Sequence, residues 1–229
     1  MSTGDSSFYK GEEGKKYYAE HFGSRLDFGI KYQSRYFAPY CSSALTLLDF
    51  GCGDGTILRE LPGKTKTGIE INPACVSVIE QQNKDASVPI SVVNDISKVP
   101  DGSVDVAISN HALEHVPAPI DALSEIKRVL APSGKLVIVT PFDDWRAPLH
   151  DSWTPEDADR HLHTWSPRNL GNLASEAGLS VETVRLVTSK WSPKIFWIHR
   201  LFGDRAFQLA CYCLAVYKQR REVLMIAAK

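Results

Sequence analysis

The stretch Leu47-Leu48-Asp49-Phe50-Gly51-Cys52-Gly53-Asp54-Gly55-Thr56-Ile57-Leu58 decides the fold. Leu45, Leu47, Leu48 and Phe50 make a short run that is apolar on both faces, as in a strand buried between two layers. Gly51, Gly53 and Gly55 follow at alternate positions. They permit a sharp turn and let a ligand approach bare main chain. Ile57, Leu58 and Leu61 then begin a helical stripe, so the turn ends at a helix N-terminus with unpaired N–H groups and a positive dipole end.

The same alternation continues downstream. Strands are predicted at 45–50, 67–71, 89–93, 104–108 and 135–140, with helices at 55–61, from Pro73 onward, and at 117–130. Asn72 is placed as a helix cap with Pro73 at the first helical position. Five strands alternating with helices predict an α/β fold with a parallel sheet covered on both faces. Ligands of such sheets bind beyond the carboxyl ends of the strands. Asp49, Glu70, Asp95 and the pair Asn110-His111 all fall at those ends. After Pro141 a polar loop, 142–165, is followed by a helix from Ser166-Pro167 to about Ala177 and a strand at 179–188. An apolar and aromatic helical stretch at 191–217 leads to a last strand at 223–227.

Before the first strand, residues 1–7 are small and polar and are expected to be disordered. Residues 11–41 are helical in pattern and rich in aromatic side chains, with a break near 23–29. This reading gives one domain over 1–229. An N-terminal helical cap spans 1–43 and a ligand-binding core 44–141. The remainder, 142–229, supplies a polar loop, helices and the last two strands.

Bulk properties narrow the function classes. The chain of 229 residues has a formal net charge of -1, so no global field favours nucleic acid or an anionic surface, and no nucleic-acid partner is expected. Five cysteines in no framework spacing suggest reduced thiols and a cytoplasmic setting. The start lacks the apolar core of a signal peptide. The longest apolar stretch, 207–217, is too short to span a bilayer and contains Gln208, so no transmembrane segment is expected.

The glycine turn has rival readings. A phosphate loop requires Gly-Lys-Ser/Thr, which is absent. The dinucleotide fingerprint requires a small residue at position 56, where this chain has Thr56. Asp49 before the first glycine would repel a pyrophosphate but suits an ammonium or a sulfonium. Glu70, about 20 residues on, sits where an acid accepts ribose hydroxyls.

Taken together, these motifs resemble the class I S-adenosylmethionine-dependent methyltransferases, in the branch of small-molecule enzymes like those of ubiquinone and menaquinone biosynthesis. The resemblance covers about 45–141. It rests on Leu48 to Gly55, on Gly68-Ile69-Glu70-Ile71, on Asn94-Asp95-Ile96, on Asn110 to Val116, and on Leu130 to Leu136. It implies a Rossmann-like seven-stranded, mostly parallel sheet with an antiparallel last strand. It implies S-adenosyl-L-methionine as cofactor, S-adenosyl-L-homocysteine as product, and Asp49, Gly51, Gly53, Gly55, Glu70, Ile71, Asp95, Ile96 and Asn110 as its binding residues. Asp95 would face the adenine amine, Glu70 the ribose, and Asn110 the methyl donor.

His111-Ala112-Leu113-Glu114-His115 also fits an inverted zinc-protease motif, but it follows a strand directly and precedes Pro117, so that reading is set aside. Some relatives bind a divalent ion through Glu-x-x-Glu-His at this place. This chain has His111 where they have the first Glu, followed by Glu114 and His115, and His161 or His163 could supply a further ligand; the metal-free reading is preferred. His115 is the first candidate for general base and His111 the second.

The expected function is methyl transfer to a small-molecule acceptor with an apolar or planar part, oxygen favoured over nitrogen or carbon. The alternatives are a nicotinamide-dependent reductase on the same fold and a non-catalytic S-adenosylmethionine-binding partner protein. Residues 191–217 are read as a lid, a membrane contact or a surface for self-association.

Overall fold

The computed structural model describes residues 7–21, 26–142, 160–188 and 191–229. The first strand, β1 (Thr46–Phe50), runs into a turn and α3 (Thr56–Glu60), after two N-terminal helices, α1 (Glu12–His21) and α2 (Leu26–Gln33). Then come β2 (Thr65–Ile69), α4 (Pro73–Gln82), β3 (Ile90–Val93), β4 (Val104–Asn110), α5 (Pro119–Val129) and β5 (Leu130–Pro141). The chain closes with α6 (Pro167–Glu176), β6 (Ser180–Thr188), α7 (Phe196–Tyr217) and β7 (Arg221–Ala228).

The seven strands form one sheet in the order β3-β2-β1-β4-β5-β7-β6. β1 pairs in parallel with β2 on one side and with β4 on the other, which places the reversal of strand order at β1. β7 is antiparallel to both β5 and β6. The sheet alternates its side chains between two cores. Leu48, Leu136, Ile138 and Met225 face α5 and α6 through Leu123, Ile126, Leu170 and Ala174. Leu47, Val137, Val139 and Leu224 face the opposite layer with Ile57, Leu58, Leu61 and Ile79. Burial on both faces is why these strands are continuously apolar.

Local chemistry sets the helix starts. The Asn72 side chain accepts from the Ala74 N–H, ahead of Pro73. Ser166 and Asn169 form a capping box at α6.

Several boundaries differ from the sequence reading. β2 lies two residues earlier than predicted, because the polar Thr65 and Lys66 belong to the ladder and Glu70 and Ile71 turn out of it. α5 begins at Pro119 rather than at 117. β5 extends back to Leu130, with a register break at the Pro132-Ser133-Gly134 turn. Helix α2 begins at Leu26, inside the expected break. The stretch 191–217 is not one helix: Gly203, with φ 75°, kinks it. Ser7 already belongs to a 3-10 turn, Ser7–Lys10; the remainder of the tail expected to be disordered, and most of the 142–165 loop, lie outside the described residues.

Candidate active site

A cavity of about 390 Å³ opens beyond the carboxyl ends of β1, β2, β3 and β4. It is lined by Asp49, Gly51, Gly53, Glu70, Ile71, Asp95, Ile96, Asn110, His111 and His115. All of the proposed binding and catalytic residues therefore meet in one space, with a single exception. Gly55 does not line the cavity. It caps α3 at φ 77°, and a Cβ there would meet Ile90 in the core at 2.8 Å, so its part is to shape the turn.

The turn itself is tightly held. Gly51 and Cys52 donate their N–H groups to the Ile69 carbonyl. Gly51 has φ 77°, and an added Cβ would sit 2.4 Å from the Ala112 Cβ. Gly51→Ala is expected to destabilise the fold by about 1–3 kcal/mol, through left-handed strain and this clash. Chemical denaturation measures the loss, and an unchanged midpoint would refute the packing argument.

Three carboxylates stand in unlike surroundings. Asp49 is 1% exposed, and its Oδ1 has no hydrogen-bond partner among the described residues. Burial, with the Glu70 charge, pushes its carboxyl up to about 8. Glu70 accepts the N–H groups of Gly53, Ile71 and Asn72 at 2.8, 2.9 and 2.8 Å. Burial raises its pKa, and those donors oppose the rise. Asp95 accepts from the Ser97 N–H at 2.8 Å, which holds its carboxyl below the usual range. Cys52 and Cys75 also line the cavity, and burial pushes both thiols up, so they stay protonated.

At the other wall stand the histidines. His115 Nδ1 lies 2.8 Å from the Tyr9 hydroxyl and 3.4 Å from the Arg160 carbonyl. His111, at φ 51°, places Nε2 3.1 Å from Glu222 Oε1. Glu222 also accepts from Gln33 Nε2 at 2.7 Å. Burial pushes the Glu222 carboxyl up, but the hydrogen bond and charge of His111, helped by Gln33 and Tyr36, outweigh it and hold it low. Glu114 is fully buried, and with His115 and His161 it brings candidate metal-ligand atoms within 4.8 Å of one another. Leu162 and His163 donate their N–H groups to the Glu114 carbonyl, which seats the returning loop beside His115.

Tyr9, Gln33 and Glu222 were not singled out by sequence, whereas Trp191 opens the aromatic stretch 191–217. The weak signals were an aromatic pair, Phe8-Tyr9, at the edge of a polar tail, and an acid, Glu222, opening an apolar strand.

Residues 25–184 match the family model described as a methyltransferase domain. The chain belongs to the class I S-adenosylmethionine-dependent methyltransferases. This methyltransferase is 34% identical over 163 residues to an uncharacterized 37.1 kDa protein in a Streptomyces fradiae transposon, covering 62% of this chain and 45% of the relative. It is 32% identical over 112 residues to a ubiquinone biosynthesis O-methyltransferase of Xanthomonas oryzae pv. oryzae, covering 44% and 47%. The chain thus spans about half the length of these curated relatives. A geranyl diphosphate C-methyltransferase from Streptomyces coelicolor superposes with a TM-score of 0.61 at 16% identity, covering 90% of this methyltransferase and 82% of that structure. It shares the fold.

The cavity of this methyltransferase fits the family's cofactor. Asp49 offers a buried, uncompensated carboxylate oxygen, suited to a cationic ligand. Phe50, Ile69, Ile71, Ile96 and Val116 supply apolar walls for a planar base. The family match ends at 184, so α7 and β7 lie beyond it.

Proposed function

We propose that this protein transfers the methyl group of S-adenosylmethionine to an oxygen of a small-molecule acceptor that carries an apolar or planar part. The observation that carries the reading is the single cavity that joins the carboxylates of β1, β2 and β3 to the Tyr9, His111 and His115 wall. Two curated relatives named as O-methyltransferases support oxygen as the acceptor atom.

The bound cofactor supplies an electrophilic methyl on a sulfonium. Asp49 and the bare backbone of Gly51 and Gly53 would hold the cationic end. Glu70 spends three lone-pair directions on N–H groups, and a carboxylate offers about four, so one remains for a ribose hydroxyl. Asp95 and Ile96 would border the adenine, and Asn110 would face the donor end. Where the acceptor is a hydroxyl, His115 would take its proton. Tyr9 and the Arg160 carbonyl, both at Nδ1, fix the ring. The aromatic side chain of Trp191 and the aliphatic Ile30 would meet the apolar part of the acceptor.

Labelled S-adenosylmethionine incubated with phenolic, carboxylic and amine acceptors tests this directly. Label on a phenol or carboxylate oxygen is expected; label on amines alone would overturn the oxygen assignment. Tight nicotinamide binding without S-adenosylmethionine binding would overturn the whole reading.

Glu70→Ala is expected to act twice. Loss of the ribose contact weakens donor binding roughly tenfold. Loss of the acceptor for three N–H groups lowers stability by about 1–3 kcal/mol. Calorimetry and thermal unfolding separate the two, and an unchanged melting temperature would mean that the N–H groups find other partners.

A further inference from the structure

The outer face of α7 is apolar where a surface helix is ordinarily polar. Its inner face buries Phe207, Cys211 and Ala215, spaced by four residues. The same side of the helix joins a ring cluster in which Phe28 meets Trp191, Phe196, His199 and Phe207 at centroid distances of 5.1–5.9 Å. At 3.6 residues per turn, Leu209 and Val216 point away from that buried stripe. They are 64% and 51% exposed. Beyond the Gly203 kink, Trp197, Leu201 and Phe202 are 55%, 70% and 67% exposed, and Tyr217 is 84% exposed. An apolar surface of this kind marks a contact site.

Charge says which contact. Residues 191–221 contain six cations, Lys194, Arg200, Arg205, Lys218, Arg220 and Arg221, against one acid, Asp204. The whole chain has a net charge of -1, so this segment is a basic island on an otherwise acidic molecule. Lys194, Arg200, Arg205, Lys218 and Arg221 are exposed among the apolar side chains. A two-fold contact between copies through this face would set cation against cation. An anionic bilayer surface complements both features, taking the aliphatic and aromatic groups at its acyl boundary and the cations at its headgroups. No described helix is long and apolar enough to cross a membrane, so the contact would be in-plane. The inner side of the same helix packs on Trp191 and α2, whose Gly29, Ile30 and Gln33 line the cavity.

We propose that the outer face of α7 is an in-plane binding surface for an anionic lipid bilayer.

The test is co-sedimentation of the full chain with vesicles of phosphatidylcholine alone and of phosphatidylcholine mixed with phosphatidylglycerol, with and without added salt. Salt-sensitive binding to the anionic vesicles, on the order of tenfold above the neutral ones, is expected. Leu209→Ser/Val216→Ser should abolish it, and Arg200→Glu/Arg205→Glu should erase the headgroup preference while near-ultraviolet circular dichroism stays native. Absence of binding, equal binding to both vesicles, or indifference to both variants overturns the proposal. So does a concentration-dependent dimer that Leu209→Ser/Val216→Ser dissolves. None of these readouts depends on methyl transfer, so failure here is distinct from failure of the proposed reaction.

Discussion

Asp49→Asn is expected to weaken S-adenosylmethionine binding roughly 100-fold, or about 3 kcal/mol, while leaving the free protein as stable or more stable. The two effects have opposite signs for one reason. Asp49 is buried beside Glu70, and its Oδ1 is without a hydrogen-bond partner among the described residues. In the free protein its charge is a liability; opposite a cation it is the counter-ion. Calorimetric titration with thermal unfolding at pH 8 checks both halves, and unchanged donor affinity would remove Asp49 from the site.

The pH dependence follows from the same group. In an unfolded chain an Asp titrates at about 3.9, whereas here burial pushes Asp49 up to about 8. Between these values the folded protein holds a proton that the unfolded chain has released. Its contribution to stability is therefore present at low pH and lost as the pH rises through that window. A cationic ligand favours the ionised form, so binding below pH 8 releases a proton and tightens as the pH rises. Titrations in two buffers of different ionisation enthalpy measure that proton. Glu222 works in the reverse direction. Its carboxyl is held below 4.5, so its contribution is present above that value and fades as the pH falls further.

His115→Ala carries the second large effect, an expected fall in kcat of about 10²–10⁴-fold with little change in donor affinity. A general base contributes only while it is unprotonated and a proton must leave the acceptor, so the loss should be smallest at the acid end of the pH profile. A kcat within a few-fold of the parent would mean that positioning alone carries the reaction. Tyr9→Phe separates positioning from catalysis. It removes one partner of Nδ1 and should shift the pH profile without abolishing turnover.

The part of the cavity lining that β1 and β2 carry was legible because it is local. A buried strand, three spaced glycines and an acid at the next strand end lie within 22 residues of one another, from Asp49 to Glu70, and each obeys a backbone rule. Asp95 and Asn110 were legible for the same reason, as polar residues ending apolar strands. The strand limits were less so: Lys66 is polar yet buried, which hid the start of β2. The other wall is built across the chain. Tyr9 meets His115 across 106 positions, and Gln33 meets Glu222 across 189. No period or spacing records such a meeting. Glu222 reads as the polar edge of a strand until the sheet order sets β7 beside β5, and Glu222 opposite Pro141.

The N-terminal segment has a consequence for handling the protein. It is tied on one side by Asn72 Nδ2 to the Gly14 carbonyl and on the other by Tyr9 to His115, with the Arg160 guanidinium over the Phe8 ring. Residues 8 to 14 thus bridge the cofactor end of the cavity and its opposite wall. A protease that cuts in this segment reports on occupancy, since a filled cavity holds both anchors in place. An addition joined just ahead of Phe8 would strain both anchors and is expected to lower turnover.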